Sequence, residues 1–391
     1  MRRSAAAAAV VAVLVTALGG GHAYIAKRMV LDPGWPEPWR SGALALVAAG
    51  GCLLVLAPIA ERILRPPASR VLLWPGVLWM GFAFLAIVWL AASDLALALG
   101  GAAAFAAGTP LADPEAASRV RALLVGAIVL GLGAVALREG LRAPALRRLE
   151  LRPARWPRAL DGFRIVQISD IHLGPIRGRR FAGELARRVN ALRPDLVAVT
   201  GDLVDGGVRA LAHEVAPLAD LRAPHGVYFV TGNHDHYSGA RAWAARCGEL
   251  GMRVLRNERV VVGDGEASFD LAGVDDAHGR LVSGEGGEDL ARALAGRDPA
   301  RPVVLLAHDP GTFRRAATAG VDLQLSGHTH GGQIWPFGWV VRLVIPFVAG
   351  VYERDGSLLY VSRGTGFWGP PMRLLAPAEI TEIALRAGAE A

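Results

Sequence analysis

Five short stretches of this chain each close an apolar run with side chains able to hold a divalent cation. They read "SDIH" (Asp170, His172), "GDLVD" (Asp202, Asp205), "GNHD" (Asn233, His234, Asp235), "AHDP" (His308) and "GHTH" (His328, His330). Singly, each has a bland reading: an Asp after a strand caps a helix, a His is satisfied at a surface, and "SGHTHGGQ" at 326–333 is a soft turn. Five in order are not independent accidents. Neutral imidazole is the commonest side-chain metal ligand, and carboxylates, imidazoles and one amide without a thiolate form the borderline-hard donor set suited to a pair of divalent transition ions. The two cysteines, Cys52 and Cys247, exclude a disulfide framework and a cysteine-based zinc site.

The elements that must position these tips follow from periodicity. "FRIVQISD", "DLVAVTGD", "GVYFVTGNHD", "PVVLLAHDP", "DLQLSGHTH" and "LLYVSRG" are short β-branched apolar runs that end in polar residues, the pattern of buried strands. Between the first two, Ala182, Leu185, Ala186, Val189 and Leu192 recur at helical spacing. Further helices are predicted over 208–221 and 240–250, and the glycine-rich, acidic stretch 279–287 reads as a surface loop. This alternation predicts an α/β domain with largely parallel central strands, whose ligands gather beyond the carboxyl ends of the strands. Residues at i and i+2 share a strand face, so Asp170 and His172 are expected to converge on one ion.

The ordered blocks DxH, GDxxD, GNH(D/E), a later His and GHxH resemble the calcineurin-like metallophosphoesterases. "GHTHGGQ" and "RGTGFWGPPMRLLAPAEIT" are most similar to the bacterial membrane-associated branch, the transmembrane proteins with a metallophosphoesterase domain. The resemblance implies an α/β/β/α sandwich over 161–391 and two divalent ions, with Mn, Fe and Zn all compatible. It implies that Asp170, His172 and His330 hold one ion, that Asn233, His308 and His328 hold the other, and that Asp202 bridges them. Such a pair acidifies a shared water, and the resulting hydroxide attacks phosphorus in line. His234 is then the non-ligand acid at the leaving oxygen, oriented by Asp205, with Asp235 a weaker candidate for that role. His236 reads as a solvated loop residue, and His22, His213, His225 and His278 match no block. The arginine-rich "GDxVDRG" form of protein phosphatases is absent, since Gly206 and Gly207 follow Asp205; that departure argues against a phosphoprotein substrate.

The remainder of the chain is of another kind. It is 391 residues long, 52% hydrophobic, with mean hydropathy +0.34. Apolar stretches at 4–25, 41–60, 71–92 and 122–136 predict a transmembrane region of four helices over 1–140, followed by a basic linker at 141–160. The first stretch also has the make-up of a signal peptide, but three more spans follow and a retained helix is the favoured reading. Asp94 ends the third stretch, leaving 95–108 as a loop or re-entrant piece. Arg2 and Arg3, then Arg62, Arg65 and Arg70, then Arg138, Arg142, Arg147 and Arg148 fall on one side, which the positive-inside rule places in the cytoplasm. Net charge is +7, yet the only lysine is Lys27 and no arginine-rich recognition helix appears, so no nucleic-acid partner is expected.

The leading expectation is therefore a multi-pass inner-membrane phosphoester hydrolase with a cytoplasmic catalytic domain. It is read as a phosphodiesterase or pyrophosphatase whose partners are the lipid bilayer and a membrane-associated or nucleotide-linked lipid substrate. The basic stretch 138–158 with Trp156 is either a headgroup contact or a plain stop signal and linker. The alternatives are a phosphomonoesterase or a non-catalytic metal-binding membrane sensor or scaffold. The complete ligand set counts against the last of these.

Overall fold

The computed structural model describes residues 16, 18–63, 68–107, 113–284 and 286–388. The chain divides into two compact units, Met1–Arg138 with Gly369–Met372 and Glu139–Trp368 with Arg373–Ala391.

The first unit is helical: α1 (Trp39–Ile63), α2 (Arg70–Ala106) and α3 (Pro114–Leu141). Among the described residues, three spans are long and apolar enough to cross a membrane: Trp39–Ala60, Arg70–Ala104 and Pro114–Leu141. These spans correspond to three of the four expected segments. The remaining predicted segment, 4–25, lies largely outside the described residues, as do Arg2, Arg3 and Arg65. The third expected segment is also longer than predicted, because α2 runs on through Asp94 where the sequence suggested an end. The Asp94 carboxylate accepts hydrogen bonds from Tyr24 Oη at 2.7 Å and Arg121 Nη1 at 2.8 Å and pairs with Arg28 Nε at 3.1 Å. Two guanidinium partners offset the cost of a carboxylate among apolar helices, so the helix need not break there.

The second unit contains two six-stranded sheets. The first has the order β1-β12-β2-β3-β4-β5, from β1 (Ala145–Leu151), β2 (Phe163–Ile168), β3 (Leu196–Thr200), β4 (Val227–Val230), β5 (Arg253–Val254) and β12 (Glu379–Leu385). The second has the order β10-β11-β9-β8-β7-β6, from β6 (Glu258–Asp264), β7 (Ala267–Gly273), β8 (Val303–Leu306), β9 (Leu323–Ser326), β10 (Gly350–Arg354) and β11 (Ser357–Val361). Strands β2 to β5 run parallel, and so do β7, β8, β9 and β11. The six sequence-predicted strands are all present. Strands β1, β5, β6, β7, β10 and β12 were not predicted; four of them, β1, β5, β6 and β10, are the sheet edges, and β1 lies within the stretch expected as a basic linker.

Alternating side chains build a layered core. Along β2, β3 and β4, residues Ile165, Leu196, Ala198, Tyr228 and Val230 pack between the sheets against Val304, Leu306, Leu323 and Leu325. Their neighbours Val166, Ile168, Val197, Val199, Val227 and Phe229 face the opposite way. That outer layer meets α4 (Arg179–Ala191), which buries Ala182, Leu185, Ala186 and Val189, the face its spacing predicts. It also meets α5 (Val208–Val215) and α7 (Ala240–Glu249), with the short α6 (Asn233–Tyr237) between them. On the far side of the second sheet, Val303, Leu305 and Ala307 pack with α9 (Leu290–Leu294) and α10 (Phe313–Thr318); α8 (Gly279–Ser283) precedes α9. The stretch 279–287 therefore contains a helical turn rather than loop alone. The result is the α/β/β/α layering expected, each buried Leu, Ile or Val adding roughly 1.5–3 kcal/mol of apolar transfer. The two sheets are stitched beside the site by Gln167, whose Nε2 donates to Thr200 Oγ1 at 2.8 Å and to Ser326 O at 2.9 Å.

Candidate metal centre

All five motifs emerge just past the carboxyl ends of central strands: Asp170 and His172 after β2, Asp202 and Asp205 after β3, Asn233 and His234 after β4, His308 after β8, and His328 and His330 after β9. The way Asp170 and His172 converge differs from the strand alternation expected. Both lie beyond β2 with left-handed backbones, φ 52° and 49°; Asp202 (52°), His328 (73°) and His330 (51°) share that conformation. Non-glycine residues adopt it at a cost of order 1–3 kcal/mol each, and such strain clusters at functional sites. The left-handed turns, not a pleated face, aim these side chains inward. Close approach matters too: a Cβ on Gly232 would collide with Asp202 Oδ1.

Two clusters result. In the first, His172 Nε2 lies 3.1 Å from His330 Nε2, and His330 Nε2 is 3.4 Å from Asp170 Oδ1. In the second, His308 Nε2 is 3.2 Å from Asp202 Oδ2 and 3.2 Å from His328 Nδ1. Each set offers three donor atoms within 4.8 Å of one another. Asn233 Oδ1 and Asp170 Oδ2 are buried with no hydrogen-bond partner. Orphaned oxygens beside facing imidazole nitrogens are what a pair of bound cations satisfies, so the residues present fit the metals that the sequence implied.

The charges behave as in a site built for cations. Burial works to lower the His172 imidazole, but Asp205, Asp202 and Asp170 outweigh it and hold the ring at about 9. His308 is likewise raised well above the ordinary histidine range: burial opposes this, but Asp202, Asp170 and Asp276 prevail. Burial lowers His330, helped by His172 and Arg373, and lowers His328, helped by His308. Each cluster thus pairs one imidazole that keeps a proton with one that does not.

A third group links the first cluster to solvent. Asp205 Oδ1 accepts from His172 Nδ1 at 2.9 Å and from His234 Nδ1 at 2.7 Å, and these two imidazoles hold its carboxyl down at about 2 against the upward pull of burial. His234 is part-exposed, unlike His172 and His308. Its backbone N–H donates to Asp202 Oδ1 at 2.8 Å. Asp235 does not reach it: that buried carboxylate accepts from the Leu203 and Gly232 backbones at 3.0 and 2.8 Å, and burial with Asp202 raises it to about 7. Asp235 ties two strand tips together.

Residues 163–332 match the family pattern of the calcineurin-like phosphoesterases. The chain is 40% identical over 279 residues to a bovine (Bos taurus) protein named transmembrane protein with metallophosphoesterase domain, covering 68% of this chain and 63% of that relative. It is 35% identical over 249 residues to an uncharacterized metallophosphoesterase of Helicobacter pylori, 63% of this chain and 65% of the relative. The match thus spans just under two thirds of the length of these relatives. A third, an uncharacterized metallophosphoesterase of Aquifex aeolicus, is 37% identical over 226 residues, which cover 57% of this chain and 85% of the relative. The chain belongs to the metallophosphoesterase family.

Around this metallophosphoesterase centre stand residues that sequence reading missed or misplaced. His236, expected in solvent, is buried and its Nε2 lies 3.1 Å from Thr231 Oγ1. His278, which matched no block, stacks on His328 with ring centroids 6.1 Å apart and meets Asp276 Oδ1 at 3.2 Å. Arg373 is fully buried and donates to the carbonyls of His330 (3.1 Å), Arg363 (2.7 Å) and Ala376 (2.9 Å), its Nη2 lying 3.1 Å from His330 Nδ1. The one signal for Arg373 was its place in the "PPMRLLAP" run that carried the branch resemblance.

Proposed function

We propose that this metallophosphoesterase is a dinuclear phosphoester hydrolase in which Asp170, His172 and His330 hold one divalent ion, Asn233, His308 and His328 hold the other, and Asp202 bridges them. The observation that carries this reading is the reach of one carboxylate: Asp202 Oδ2 is 3.7 Å from His172 Nε2 and 3.2 Å from His308 Nε2, so it touches both clusters. Two ions so held supply an activated water and a clamp on the phosphoryl oxygens.

The chain's own residues do the rest. Asp205 accepts from Nδ1 of both His172 and His234, which orients both rings and turns each Nε2 away from it. On His172 that nitrogen is turned to a cation. On part-exposed His234, when the ring carries a second proton, Nε2 is placed to give it to the leaving oxygen and Nδ1–H stays with Asp205. Buried Arg373 holds the His330 backbone in its left-handed turn.

Mn, Fe and Zn all suit these ligands. The substrate is proposed to be a phosphodiester or pyrophosphate that is membrane-associated or linked to a nucleotide and lipid, because the same chain carries three helices apolar enough to cross a membrane. The arginines 138, 142, 147 and 148 after α3 support a cytoplasmic face of the inner membrane for this unit by the positive-inside rule. The test uses the metal-loaded full chain in detergent with bis-p-nitrophenyl phosphate. His234→Ala is expected to lower turnover by roughly 10²–10⁴-fold with metal content unchanged. Metal loss in that variant would make His234 a ligand, and an inert, fully loaded parent protein would end the hydrolase reading.

A further inference from the structure

The turn that carries His328 and His330 runs straight into a helix that the second unit does not cover. Helix α11 (Phe337–Val344, "FGWVVRLV") contains no buried residue. Phe337, Trp339, Val340, Leu343 and Val344 are all exposed, Leu343 at 86% and Val344 at 80%. A folded unit that leaves such a run of apolar side chains uncovered marks an interaction surface. The helix is also fixed against the metal centre. A Cβ on Gly332 would collide with Gly338 Cα, so the turn after His330 and the first turn of α11 touch backbone to backbone. Gln333 then clamps the next segment: its Nε2 donates to Trp368 O at 2.7 Å, and its Oε1 accepts from Trp368 N at 2.9 Å. The half-exposed Trp368 ring stands edge-on to His234, centroids 5.9 Å apart. A chain of contacts through Gln333 and Trp368 thus links α11 to the proposed acid.

We propose that α11 is an interfacial helix that dips its apolar face into the lipid bilayer and presents the metal centre to phosphoesters carried by lipids. Three observations choose lipid over a protein partner. The same chain carries three membrane-crossing spans, so a bilayer is held at high effective concentration. Residues 323–352 contain no Asp or Glu and a single charged side chain, Arg342, which suits an anionic leaflet and has the reach to extend to headgroups. Trp335 and Trp339 pack edge-on at the N-terminal end of α11, centroids 5.6 Å apart, a pair of the aromatic type enriched at membrane interfaces. The insertion itself is independent of catalysis; only the choice of substrate class rests on the hydrolase reading.

The test uses the full chain in nanodiscs of anionic lipid. In a Cys52→Ser background, which leaves only the buried Cys247, Leu343→Cys is labelled with an environment-sensitive fluorophore. Brominated acyl chains are expected to quench this label, and not one at Glu266→Cys in the exposed β6–β7 turn. In parallel, Leu343→Asp/Val344→Asp is assayed on bis-p-nitrophenyl phosphate and on a dioleoylglycerol p-nitrophenyl phosphodiester in the same discs. The soluble ester is expected to turn over within twofold of the parent rate, and kcat/KM on the lipid ester to fall about tenfold, the order expected when two inserted apolar side chains become charges. An unquenched label at 343, including one shielded by a second copy of the chain, overturns the proposal, as do equal losses on both esters. A quenched label with neither ester hydrolysed by the parent protein would instead sink the hydrolase reading and leave the insertion standing.

Discussion

The two halves of the proposed metal centre carry nearly the same candidate ligands but are held from behind in different ways. In the first, His172 is backed by a carboxylate, Asp205, and His330 by a buried guanidinium, Arg373. In the second, His308 is backed by a backbone carbonyl, Thr200 O at 2.8 Å, and His328 by the ring of His278. Charged supports make the first half tunable and tie it to the proposed acid His234 through a shared oxygen. The second half, anchored to strand backbone, reads as the stiffer of the two. The lesson is that similar donors give a division of labour when the groups behind them differ, because outer partners set ligand tautomer and orientation.

That contrast is broken most completely at the one residue common to both halves. Asp202→Asn is expected to abolish turnover and to cost both ions, read by metal analysis and bis-p-nitrophenyl phosphate hydrolysis. Loss of one ion alone would mean that the halves are independent. Next in size is Asp205→Asn, which removes the acceptor shared by His172 and His234. It is expected to weaken the first ion by roughly 10–100-fold, to leave the second near its parent affinity, and to lower turnover further through His234. Equal weakening of both ions, measured by calorimetric titration, would erase the distinction drawn above.

Protons sharpen the comparison. His172 is held at about 9 and His308 is raised well above the ordinary histidine range, so each ring must lose a proton to ligate. Binding is therefore expected to release a proton from each half, and affinity is expected to rise as pH climbs toward 9 and to fall with acid. Titration in buffers of different ionisation enthalpy measures the released protons, and pH-independent binding would contradict the assignment. The smallest effect belongs to His278→Ala, which is expected to change turnover only a few-fold and to leave the first ion untouched.

What could be read from the residues follows the same physical divide. The donors were legible because their chemistry is local: carboxylates and imidazoles at the ends of β-branched runs announce themselves, and the ridge Ala182, Leu185, Ala186, Val189 announces α4. The geometry was not. Nothing in "SDIH" says that Asp170 and His172 take left-handed backbones, because that strain is imposed by the packing of neighbouring tips. His236 and His278 were misplaced because their burial and stacking depend on Thr231, Asp276 and His328, contacts made across the fold. Asp94 looked like the end of a span until Arg121 and Arg28, distant in sequence, were seen to pair with it. Helix α11 was not read from the sequence at all, because whether its apolar run is covered depends on the fold.

The central claim is that one carboxylate joins two ions. Electron paramagnetic resonance of the manganese-loaded full chain tests it most directly. The account predicts a spin-coupled multiline spectrum from a bridged pair, lost in Asp202→Asn; a spectrum of isolated Mn(II) ions in the fully loaded parent protein would contradict it.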